Sequence, residues 1–234
     1  MPLLQELTWS DLDSVRPTLV VPVGSVEQHG AHLPLHTDVR IAAAVAALVL
    51  AREPALVVAP AVAYGAAGEH EGFAGTVSIG HAALRLLLVE LGRSACRWAG
   101  RLVLLNGHGG NVPTLVEVVR LLRDEGRDAA WVPCVAPGFD GDAHAGRTET
   151  SLMLALDPDA VRAEHAVAGN TAPLRELLPA MRDGGVAAVS PNGVLGDPTG
   201  ASAQEGQALL GATADAVVAA IRAWCPTEDG RLRP

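Results

Sequence analysis

The chain has 234 residues, 49% hydrophobic and only 3% aromatic, with a net charge of −9 and no lysine among its 17 basic residues. That length without a linker-like break suits one α/β domain over 1–234, with a core of Ala, Val and Leu. The acidic balance excludes a nucleic-acid partner, because such binding leans on basic surface.

In chain order, a helical patch over 10–15 stops at Pro17, and 19–23 reads as a buried strand turned out of the sheet by Gly24 and Ser25. Glu27, His29, His32, His36 and Asp38 then fall within twelve residues. If 27–29 stays extended, the period of two puts Glu27 and His29 on one face. A carboxylate and an imidazole side by side suit a divalent cation such as zinc, iron(II) or manganese. Asp38 opens a helix over 38–52, and the loop between is long enough to bring it back as a third ligand. Taken singly, Asp38 also fits a helix cap, and His32 and His36 fit loop positions facing water; the density of the cluster favours the metal.

A strand over 56–61 completes a first β-α-β unit. The Gly-rich loop over 62–80 carries Glu69, His70 and Glu71, for which a solvated loop and a pocket role both stay open. A helix over 81–98 and a strand over 101–105 lead to 106–111, at the strand's carboxyl end, where open α/β sheets place ligands. A helix over 112–125 and a strand over 129–132 follow. A loop over 137–146 enters a helix over 147–156. Beyond it come short helices over 158–165 and 173–181, an edge strand over 186–189, a long amphipathic helix over 201–224 and a polar, fraying tail after Cys225.

Cys96, Cys134 and Cys225 are too scattered for a zinc knuckle or a disulfide framework. The opening MPLLQELTW lacks a basic leader, and the longest apolar run, 41–51, is too short to span a bilayer. The expectation is a soluble cytoplasmic protein with no membrane partner. No serine lies in a nucleophile-elbow pattern.

The run from Val21 to Asp38, VPVGSVEQHGAHLPLHTD, resembles the signature of the creatininase family of dinuclear metal amidohydrolases. NGHGGN from Asn106 to Asn111 and HAGRTETS from His144 to Ser151 are similar to that family's second and third motifs, in order and spacing. Segments 68–76 and 193–199 extend the likeness. The resemblance implies a three-layer α/β/α sandwich with a mainly parallel sheet. It also implies two divalent metal ions, with Glu27, His29, Asp38 and His108 as ligands and Asp38 bridging.

Where creatininase has a glutamate two residues beyond the His108 position, this chain has Gly110. Glu149 is the expected replacement ligand beside the reacting water; its alternative is an N-terminal glutamate favoured by the helix dipole. His144 matches the family's substrate-side histidine, expected to transfer a proton or polarise the tetrahedral intermediate. Arg147, between His144 and Glu149, is the expected clamp for a substrate carboxylate, with Arg40 as fallback; Glu69 and His70 would complete the pocket. The implied activity is hydrolysis of an amide in a small precursor peptide by a homo-oligomer, releasing a carboxyl-terminal dipeptide derived from Val-Tyr. Alternatives are hydrolysis of a small cyclic amide, which Gly110 disfavours, and a metal-binding scaffold without activity.

Overall fold

The computed structural model describes residues 3–137 and 142–233. Its strands β1 (Thr18–Val23), β2 (Val57–Val58), β3 (Arg101–Asn106) and β4 (Ala129–Pro133) form one parallel sheet in the order β2-β1-β3-β4. The helices are α1 (Trp9–Leu12), α2 (Thr37–Arg52), α3 (Gly80–Ala95), α4 (Val112–Asp124), α5 (Arg147–Leu156), α6 (Leu174–Gly184) and α7 (Ala203–Ala223).

Strand periodicity sorts the core into two layers. Leu19, Val21, Leu102, Leu104 and Trp131 face α3 and α4, while Val20, Val103, Leu105 and Val132 face α2, α5 and α7. Covering both faces is what an all-parallel sheet needs, and it yields the expected α/β/α sandwich. Among the described residues no helix is long and apolar enough to cross a membrane.

The chain leaves β1 through α2 to β2 on one side, then returns past β1 through α3 to β3 on the other. Strand order therefore reverses between β1 and β3, and the loops at their carboxyl ends part to leave a crevice, the usual ligand position in such sheets. Glu27 and His29 follow β1, His108 follows β3, and Asp38 sits in the first turn of α2.

Three expectations are corrected. The strand expected over 56–61 pairs regularly only at Val57–Val58. Ala59 and Val62 still donate to the Val20 and Pro22 carbonyls at 2.9 Å, but Pro60 between them has no N–H to continue the ladder. The edge strand expected over 186–189 is instead a 3₁₀ turn, Val186–Ala188, entered through Gly185 at φ 68. Val186 is buried against Leu177 and Leu195 rather than paired in a sheet. The tail does not fray: Trp131 N–H donates to Gly230 O at 3.0 Å, and Leu232 N–H donates to Trp131 O at 2.8 Å. Leu232, a buried apolar residue in a polar segment, is what docks it.

Candidate metal centre

Loop backbones at the crevice are tied together by one side chain. Asn111 donates through Nδ2 to Gly24 O at 3.1 Å and to Asn106 Oδ1 at 3.3 Å, and accepts from Ala66 N at 2.9 Å. It thus joins the segments after β1, β2 and β3. Gly107 lets the end of β3 approach α2, since a Cβ there would stand 2.7 Å from Asp38 O.

On this base the ligand-type side chains converge. His29 Nε2 lies 3.1 Å from Asp38 Oδ1 and 3.8 Å from Glu149 Oε2. His108 Nδ1 lies 3.1 Å from Glu27 Oε2 and 3.3 Å from Asp38 Oδ2. Asp38 thus turns one oxygen to each histidine. The donor atoms form overlapping sets, Glu27–Asp38–His108, His29–Asp38–Glu149 and Glu27–His29–His144, each with its atoms within 4.8 Å of one another. The far nitrogens fix the rings: His29 Nδ1 donates to Glu27 O at 3.1 Å and His108 Nε2 to Ala66 O at 3.2 Å, which turns the other nitrogens inward, where they could serve as ligands.

Both Glu27 oxygens and Asp38 Oδ2 are buried without a well-directed hydrogen bond, although imidazole nitrogens stand close. Closeness without hydrogen-bond direction is what ligand atoms grouped round a common point show. Carboxylates and imidazoles together form a donor set suited to zinc, manganese or iron(II), so these residues fit a pair of such ions.

The charges interlock. Burial opposes a charged His29, yet Asp38, Glu149 and Glu27 raise its pKa to about 10. Burial also opposes the charged form of His108, but Glu27 and Asp38 push it well above the usual value. Asp38 resists burial through His29 and His108 and stays below the carboxylate range. Burial raises Glu149 to about 7 against the pull of His29. Burial, with the neighbouring His29 and His70, drives His144 well below its ordinary value. The cluster thus pairs carboxylates with imidazoles that hold protons where a cation would otherwise sit.

Gln28, between two ligand-type residues, organises the next layer, and reading the sequence missed it. Its Oε1 accepts from Gly30 N at 2.9 Å, and its Nε2 donates to Gly193 O at 3.0 Å and to His70 Nδ1 at 2.9 Å. That assignment leaves His70 Nε2 protonated, 3.3 Å from Glu27 Oε1. His144 Nε2 donates to Gln28 O at 2.7 Å, so its Nδ1 keeps a lone pair, 3.8 Å from Glu27 Oε1. Pairing with Leu195 fixes the backbone of His144, and Ala145, held at φ 52, donates to Glu149 Oε2 at 2.6 Å. Gln28 alternates away from Glu27 and His29 in an extended run, and that alternation was the available signal.

Glu69 and His70 line the cavity with Glu27, Asp38, His108, His144 and Glu149. A Cβ at position 110 would collide with Glu69 Oε1 and His108 Nε2, so Glu69 occupies the space that a side chain at Gly110 would need. Arg147 and Arg40 are not brought to this cavity, which corrects the expected carboxylate clamp. Arg147 Nε pairs with Glu205 at 2.8 Å and Arg40 with Asp157 at 3.0 Å. Each stands two helical positions from an inward carboxylate, Glu149 or Asp38, and residues two apart do not share a helix face. His36 and Glu71 are exposed, while His32 is buried with Nε2 2.9 Å from Thr150 Oγ1, bracing the first turn of α5.

A family profile described as creatininase, creatinine amidohydrolase, matches residues 5–221. The chain is 59% identical over 230 residues to a mycofactocin precursor peptide peptidase of Mycolicibacterium smegmatis, covering 96% of this chain and 92% of that one. It is 56% identical to the protein of the same name from Mycobacterium tuberculosis, covering 99% and 96%. To a creatinine amidohydrolase of Pseudomonas putida it is 33% identical, covering 94% and 96%. Among solved structures, one titled creatininase Mn superposes with a TM-score of 0.81 at 31% identity, covering 96% of this chain and 99% of that one. A mutant creatininase described as Zn-Zn type gives 0.81 at 31%, covering 96% and 98%.

Proposed function

The chain belongs to the creatininase family, and from that premise we propose that it is a dinuclear metal-dependent peptidase acting on the mycofactocin precursor peptide. The bond cut lies near the peptide's carboxyl end and releases the modified dipeptide derived from Val-Tyr. The observation that carries the metal reading is Asp38, whose two oxygens face separate ligand groups. The named peptidases of 56% and 59% identity support the choice of substrate.

Glu27, Asp38 and His108 would hold one ion, and His29, Asp38 and Glu149 the other. Two divalent ions of the zinc, iron(II) or manganese class supply Lewis-acid polarisation of a carbonyl and a more acidic water. His144, kept neutral, presents Nδ1 as a base that takes a proton and returns it to the leaving amine. His70, held by Gln28, keeps its Nε2 3.3 Å from Glu27 Oε1 and so adds to the packing that positions this carboxylate. Leu174, Leu178, Met181 and Leu195 give the cavity an apolar rim that limits water. The reading treats the chain as one domain working in a homo-oligomer, supported by the exposure of Trp9 and Leu86.

The test is incubation of the metal-loaded protein with the modified precursor, followed by mass spectrometry and metal analysis. The expected result is a short carboxyl-terminal fragment and two ions per chain. Release of any other fragment would remove the substrate assignment, and one ion or none would remove the dinuclear centre.

A further inference from the structure

We propose that the long remainder of the peptide leaves the metal-side cavity along an outer groove at the amino-terminal end of α6, and that this groove helps select the substrate. The inference rests on the peptidase reading above. Cutting near the carboxyl end leaves a short fragment on one side of the scissile bond and a long segment on the other, and that segment needs a way out.

The cavity over Glu27, Asp38 and His108 holds ≈ 280 Å³, and beside it lies a second depression of ≈ 630 Å³ lined by Asn170, Thr171, Ala172 and Arg175. Leu174 and Leu195 line both, so the two adjoin with these side chains at the boundary. Leu174 and Leu178 are 42% and 37% exposed although they border the cavity. Four apart on α6, they share a face. Among the described residues that face packs on no core cluster, since α6 buries Leu177 instead on a small separate one with Val186 and Leu195.

Asn170 is committed to the groove itself, donating to Val189 O at 3.0 Å and accepting from Ala172 N at 3.0 Å. Ala172 is exposed, and Arg175 keeps its side chain 83% exposed at the rim, so neither supports the core. An apolar boundary next to an open, partly charged groove suits an extended peptide, with an apolar side chain near the cut and polar residues beyond it. A small amide substrate would fill the inner cavity and never reach the groove.

The experiment compares kcat/KM for the full modified precursor with that for a peptide cut down to a few residues before the scissile bond. The full precursor is expected to be favoured by about tenfold, mainly through KM, equivalent to about 1.4 kcal/mol of added binding. Ala172→Trp, which fills the groove from an exposed position, should bring the ratio close to one. Arg175→Glu is the second variant, expected to lower the ratio by a smaller factor, and metal content and circular dichroism confirm folding of both. Equal kcat/KM for the two peptides in the unmodified protein, or a ratio that neither variant changes, overturns the groove. Failure of the metal-loaded protein to cut either peptide removes the peptidase reading instead.

Discussion

The Glu27–Asp38–His108 group and the His29–Asp38–Glu149 group share a carboxylate but rest on different supports. In the first, every side chain is buried and comes from the carboxyl edge of β1, the start of α2 or the loop after β3. Asn106, Asn111 and the Ala66 carbonyl brace that loop from behind. The second group borrows Glu149 from α5, across the crevice, and Glu149 is its partly exposed member. A ligand at the end of a strand inherits the stiffness of the sheet, whereas one on a separate helix depends on how that helix docks. The second position is therefore the one whose geometry depends on how α5 docks, while the first rests on the sheet.

Removing the shared member erases the contrast. Asp38→Ala should lose both ions, and forfeiting several kcal/mol of metal assistance lowers kcat/KM by about 10³-fold or more. Metal analysis beside the kinetics checks this; two ions retained would show that Asp38 is no bridge. Glu149→Gln should separate the groups, with metal content falling from about two ions to about one and activity by roughly 10²-fold. Equal loss of both ions would mean that the two groups are not independent.

Gln28→Ala tests the supporting layer by freeing His70 and, through it, Glu27. Metal affinity or activity is expected to fall by about 10-fold, and more for the ion on the Glu27–Asp38–His108 group. A titration that resolves the two ions decides it.

The smallest effect is on stability against pH in chelated protein. His29 has a folded pKa of about 10 against 6.5, so between those values the folded chain holds a proton that the unfolded chain has released. His108 has the same sign, its folded value lying well above 6.5. Their stabilisation is complete below about pH 6.5 and is lost as pH rises toward 10. The melting temperature of chelated protein should fall across that window. Loading with metal should flatten the slope, because the ions replace the protons, and should release protons on binding. A melting temperature independent of pH in the chelated form would contradict the charge pairing.

Much of the first group was legible in the sequence, because its members sit in short runs whose geometry is local. Glu27 follows the end of β1 within a few residues, and the first turn of α2 places Asp38. The strands and flanking helices of the sheet were legible for the same reason, their alternating or 3.6-period apolar residues each having one core layer to face. The path of 186–189 and the docking of the tail were not, since each depends on one buried residue, Val186 or Leu232, meeting a distant partner.

By itself, the sequence determined the alternation of strands and helices and a dense cluster of donor residues after the first strand, which follow from residue type and local periodicity, while its likeness to the family's motifs implied the layering and the full donor set. Only the tertiary structure decided which groups face one another across long separations. It brought His70 and His144 to Glu27, set Gln28 between them, and aimed Arg147 at Glu205 and away from the cavity. The physical reason is that the direction of a side chain across 42 or 116 residues is set by how layers pack and which backbone carbonyls lie within reach, and no local pattern carries that information.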